Sequence, residues 1–176
     1  MTLRALSASA LLALSAWAWA GAPLPSLVAE PVTPLPNPAT VPVGVTPVIP
    51  GDLTATLSAP RTVTGRLPLT LILKSSRAAA VKMQIGRDNE QNCAAAPTVR
   101  VLRVGTREVV YPEPGKAPSL CAQDLRTDTL AARGQATYTR ELSLAPGEYM
   151  VEGWLSGLAN DLRVKVPAQP VRVTVK

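Results

Sequence analysis

The chain has 176 residues, 18 basic against 12 acidic side chains for a formal charge of +6, two cysteines and no histidine. Without imidazole, Ser-His-Asp and Cys-His catalysis, histidine-ligated zinc or copper, and histidine acid/base chemistry are closed to it. Carboxylate pairs and Ser-Lys dyads stay formally open, but no spacing singles one out, so a non-enzyme with no catalytic residues, metal site or cofactor is expected.

In chain order, Arg4, an apolar run from Ala5 to Ala16, and small residues flanking Trp17 and Trp19 form the three-part layout of a secretory signal. Ala18-Trp19-Ala20 fits the small-x-small rule and predicts a signal over 1–20, cleaved before Gly21. About sixteen apolar residues fall short of the roughly twenty that span a bilayer as a helix, so no transmembrane segment is expected in the mature protein. No cysteine follows the run to carry a lipid. The expected location is the periplasm or cell envelope, or the extracellular space.

Residues 21–50 contain nine prolines. That density removes backbone donors and favours extended polyproline II, so the segment reads as a semi-rigid linker. From 51 to 176 the pattern changes to short alternating runs bounded by Gly, Pro, Asn and Asp. Leu53, Ala55 and Leu57 alternate with polar residues. Leu67, Leu69, Leu71 and Leu73 share one face behind Pro68, which sits where a missing donor does least harm. Val81, Met83 and Ile85 give a third run. Val99 and Val101 face one way but Leu102 and Val104 the other, the phase change of a β-bulge. Val109 to Tyr111 is placed to return antiparallel.

Leu125 to Arg133 is the one stretch read as a possible helical turn. Tyr138, Leu142 and Leu144 mark another strand, and Ala145-Pro146-Gly147 turns the chain into Tyr149, Val151 and Gly153. Tyr149 and Trp154 are expected in the core. The runs Leu162–Val166 and Val171–Val175 complete about eight strands, the spacing of an all-β, immunoglobulin-like antiparallel sandwich. An even cysteine count in an exported chain predicts one disulfide, Cys93–Cys121. Closing a loop of about 29 residues contributes roughly 3.5 kcal/mol. Two free thiols or part of a metal site are the alternatives.

The block Leu142-Ser143-Leu144-Ala145-Pro146-Gly147-Glu148-Tyr149 with the Leu69–Leu73 and Val99–Val101 strands resembles the BsuPI-like intracellular proteinase inhibitor domain over roughly residues 52–156. The resemblance implies a bacterial immunoglobulin-like sandwich and, secondarily, proteinase inhibition. An export signal, the cysteine pair and Met83–Asp88 in place of a Tyr-Asp-Phe type segment depart from it.

Arg163, Lys165, Arg172 and Lys176 would form a basic ladder on one face if the last two strands pair, a surface for an acidic protein or polymer. The alternative is a solvated edge guarded by charge. Pro114, Gly115, Lys116 and Ala117 lie in a proline-stiffened loop inside the cysteine pair, either an ordinary surface loop or an inhibitory contact loop. Gly86–Asn92 is rich in oxygen ligands but lacks the spacing of a calcium loop. Trp154, Tyr111, Tyr138 and Tyr149 are too few for a nucleic-acid stacking platform. The expected function is an exported, non-catalytic binding or structural module of a bacterial cell envelope that contacts a protein or an anionic polymer. The second expectation is an exported proteinase inhibitor.

Overall fold

The computed structural model describes residues 46–176. The signal at 1–20 and the linker up to residue 45 lie outside the described residues. Among the described residues no helix is long and apolar enough to cross a membrane. The described residues lie within one compact unit.

The strands are β1 (Leu53–Ser58), β2 (Thr62–Val63), β3 (Leu67–Ser75), β4 (Val81–Gly86), β5 (Thr98–Arg103), β6 (Val109–Tyr111), β7 (Leu125–Leu130), β8 (Gln135–Leu142), β9 (Gly147–Ala159), β10 (Leu162–Pro167) and β11 (Val171–Val175). One 3-10 turn, Asn89–Gln91, interrupts them. They form an immunoglobulin-like β-sandwich: a three-stranded sheet β1-β3-β8 faces an eight-stranded sheet built on β9. Every named pairing is antiparallel except the short one of β2 with β11. The period-2 pattern sends Leu67, Leu69, Leu71 and Leu73 inward from β3, where they meet Val99, Val101, Val151 and Leu155 from the other sheet. Burying each such leucine contributes about 2 kcal/mol. The sheets approach closely at Gly153, where a Cβ would stand 2.9 Å from Leu57 Cδ2.

β9, thirteen residues long, organises the larger sheet. On one edge it pairs first with β11, through Val171↔Val151, and then with β10, through Leu162↔Ala159. On the other edge it pairs with β5 up to Thr98↔Trp154, and then with β4 at Leu158 and Ala159. β10 and β11 therefore do not pair with each other. They follow one another along the same edge of β9, with Ala168 donating to the Gly153 carbonyl at 2.9 Å across the break. The β9–β10 hairpin turns on Asn160 and Asp161, both left-handed at φ 50° and 65°, as a two-residue type I′ turn requires.

Two further expectations change. Leu125–Arg133 is not helical: β7 occupies Leu125–Leu130, paired with β4 from Val81↔Leu130 to Gly86↔Leu125. Trp154 is not a core residue. It lies on the outer face of β9 and is half-buried, whereas Tyr149 is buried as expected. The bulge is present, with the β5–β6 register shifting between Val101 and Leu102.

Candidate functional site

The β9 alternation that buries Tyr149, Val151 and Leu155 turns Met150, Glu152, Trp154, Ser156 and Leu158 to the outer face of the larger sheet. On the neighbouring edge, Val164 and Val166 are buried and Arg163 and Lys165 exposed, while Val173 and Val175 are buried and Arg172 is exposed. The extra residue at Ala168–Pro170 restores this parity, because inward Val166 and inward Val171 are an odd number of residues apart. Arg163, Lys165, Arg172 and the terminal Lys176 thus belong to one edge and one outer face, as a line along β10–β11 rather than a two-strand ladder.

Their surroundings differ. Arg172 Nη2 pairs with Glu148 Oε2 at 2.6 Å. Lys165 Nζ stands 4.4 Å from the centre of the Trp154 ring, a cation-π contact that fixes the ammonium in place. Arg163 and Lys176 have no carboxylate partner among the described residues. Across the face, Arg100 Nη2 pairs with Glu152 Oε2 at 2.5 Å.

The same face carries a groove of about 730 Å³, where β9 leaves β5 and joins β4. Gln84, Gly86, Ser156 and Gly157 line it together with the charged Arg87, Asp88, Asp161 and Arg163. Gly157 is required because a Cβ there would lie 2.4 Å from the Gln84 carbonyl oxygen, so no larger residue allows the two backbones to meet. Val48 enters alongside, donating to the Arg163 carbonyl at 3.0 Å and accepting from Lys165 N–H at 2.9 Å.

The disulfide Cys93–Cys121 is present, with Cα atoms 5.4 Å apart. It ties the loop after β6 to the turn at Asn89–Gln91. The Ser119 N–H donates to the Asn89 carbonyl at 2.9 Å, and Arg87 Nη2 donates to Asp124 Oδ2 at 2.9 Å. The expected contact residues Pro114, Gly115, Lys116 and Ala117 are all exposed. Lys116 is turned back, its N–H donating to the Glu113 carbonyl at 3.2 Å and its Nζ to Asn92 Oδ1 at 3.4 Å. Leu120 is fully exposed between pinned Ser119 and disulfide-bonded Cys121.

Arg140, absent from the sequence-based candidates, closes the margin of the sandwich above this loop. It lies on the inner face of β8 opposite Leu69. It donates to Gln91 Oε1 at 2.8 Å, to the Gln91 carbonyl at 2.7 Å, to the Pro97 carbonyl at 3.1 Å and to the Tyr111 hydroxyl, and its guanidinium stands 5.1 Å from the Tyr111 ring centre. Burial lowers its pKa and raises that of Tyr111. The sequence signal was the parity of Tyr138, Arg140 and Leu142. Below it, Arg126 stands 5.0 Å from the Tyr138 ring centre and its Nε lies 2.9 Å from Asp128 Oδ2, two inward-pointing charges on edge strand β7. Among the described residues no cluster of three or more Cys, Asp or Glu side chains could hold a metal ion.

No family model matches the sequence, and no curated protein matches it. Three solved structures illustrate what it is similar to. A Northeast Structural Genomics Consortium target is 10% identical over 73% of this chain and 90% of its own, with a TM-score of 0.48. The putative ApaA protein from Bordetella pertussis is 15% identical over 73% and 98%, with a TM-score of 0.45. The CARDB domain of a Pyrococcus furiosus protein is 15% identical over 70% and 94%, with a TM-score of 0.37.

Proposed function

We propose that this protein is an exported, non-catalytic binding module of a bacterial cell envelope, and that it contacts an anionic partner through the outer face of its larger sheet. The observation that carries the reading is the line of Arg163, Lys165 and Lys176 along β10–β11, none with a carboxylate partner among the described residues, while Trp154 fixes Lys165. Such a surface draws acidic ligands and loses them as salt screens the charges. The secretory layout at 1–20 and the disulfide support a contact beyond the membrane. The test is retention of the protein on isolated envelope fractions across a salt series. Retention that falls with salt, and falls further in an Arg163→Gln, Lys165→Gln, Lys176→Gln triple variant, supports the reading. Salt-independent retention, equal in the variant, sinks it.

A second reading, exported proteinase inhibition, is favoured by one observation: Leu120 projects from a loop pinned on both sides of it. Preorganisation of that kind lowers the ordering cost of docking into a protease cleft. Residual activity of a panel of serine, cysteine and metalloproteases with excess protein decides it. Full activity throughout removes this reading.

A further inference from the structure

We propose that the groove between β4 and β9 is a saccharide site, and that its ligand is an acidic glycan carrying carboxylate groups beside free hydroxyls. This rests on the outer-face reading and names the ligand class. The groove is concave because Gly86 contributes no side chain and Gly157 lets β9 close onto β4. At about 730 Å³ it lies within the range of small-ligand sites.

Its chemistry is mixed. Arg163 and Arg87 supply charged donors, the Arg87 guanidinium already paired with Asp124, and Lys165 is the next outward residue on β10, outside the groove and held by Trp154. Gln84, Thr98 and Ser156 offer neutral donors and acceptors, with no side-chain hydrogen bond among the described residues. Asp161 and Asp88 add acceptors, and Asp88 already receives the Glu90 N–H at 3.0 Å.

The two carboxylates discriminate between ligand classes. A polyphosphate brings no donor to Asp88 and Asp161, and an acidic peptide brings only its backbone N–H groups, so neither offers them a hydroxyl. A uronate-bearing chain presents carboxylates to Arg163 and Lys165 and hydroxyl donors to Asp161 and Ser156, so both signs of the groove are satisfied. Each unsatisfied polar group in a closed contact would otherwise weaken binding.

The experiment is calorimetric titration of the protein with alginate, a uronate polymer. Poly-L-glutamate serves as a polyanion without hydroxyls, and dextran as a neutral glycan. Alginate is expected to bind roughly tenfold more tightly than poly-L-glutamate at matched charge, and dextran not to bind measurably. Ser156→Trp, which fills the groove from an exposed outward position, is expected to abolish alginate binding with the melting temperature unchanged. Gln84→Ala is expected to weaken it several-fold, as loss of one hydrogen bond predicts. Equal binding of alginate and poly-L-glutamate, or wild-type alginate affinity in a folded Ser156→Trp protein, overturns the saccharide site and leaves the charge-driven outer-face reading standing. No binding to either polyanion overturns both.

Discussion

Tyr149 shows how one residue fixes a corner of the sandwich. Its ring is buried and its hydroxyl donates to the Ala145 carbonyl at 2.8 Å, tying β9 to the turn that delivers it. Tyr149→Phe keeps the ring and removes the bond, so it is expected to cost about 1–2 kcal/mol, read as a lower urea midpoint with an unchanged slope. Arg140 is the less ordinary case, a cation on an inner face with neutral acceptors around it. Arg140→Ala removes the side-chain donor from the Pro97 carbonyl, while the Gln91 carbonyl keeps the Ala94 N–H at 3.2 Å, and is expected to cost about 2–3 kcal/mol. Arg140→Lys should recover only part of it, because an ammonium lacks the planar fork. Hydrogen exchange confined to residues 88–97 would show that the loss is local to the loop Arg140 holds. An unchanged exchange pattern there would contradict that role.

At the scale of elements, most strands follow from alternation, and the exceptions have physical causes. The Leu125–Arg133 segment reads poorly as a strand because its inward positions hold Arg126 and Asp128 rather than aliphatics. Pairing with β4 and stacking on Tyr138 supply what the local pattern lacks. Inward charges on an edge strand discourage pairing with another molecule. Replacing both, Arg126→Leu with Asp128→Val, is expected to change stability by less than about 1 kcal/mol, since half-exposed ion pairs contribute little. It should raise aggregation on heating, followed by light scattering. The last two strands illustrate the opposite limit. Their alternation was legible, but their partner was not, because two short strands separated by Pro167–Pro170 satisfy the pattern equally well as a hairpin or as one bulged strand.

For the whole molecule, the missing histidine has a measurable consequence. Apart from the chain's amino terminus, no group has an ordinary pKa between about 5 and 8, so stability is expected to be flat across that window. Below it, the hydrogen-bonding guanidinium groups of Arg77 and Arg87 hold the Asp52 and Asp124 carboxyls under their usual range. Their folded pKa values lie below the unfolded ones, so their contribution is present above about pH 4 and disappears as the pH falls through the depressed values. At the alkaline end, burial and the neighbouring Asp128 raise the Tyr138 hydroxyl far above an ordinary phenol. An unfolded tyrosine ionises near about pH 10 and the buried one does not, so stability should fall as pH rises beyond that point. Urea midpoints from about pH 3 to 11 check both limbs, and a slope between pH 5 and 8 would contradict the account.

The sequence by itself determined the all-β class, the disulfide partners, the inward faces of most strands, the tyrosine at the turn and the exclusion of imidazole chemistry. These follow from residue identity and a period of two, which are local properties. Only the tertiary structure decided that β10 and β11 share one edge of β9, that Trp154 faces outward beneath Lys165, that Arg140 closes the margin, and that a groove opens where β9 passes from β5 to β4. Each of these depends on which strand lies beside which. Strand neighbours are set by packing between residues distant in sequence, so local alternation cannot report them.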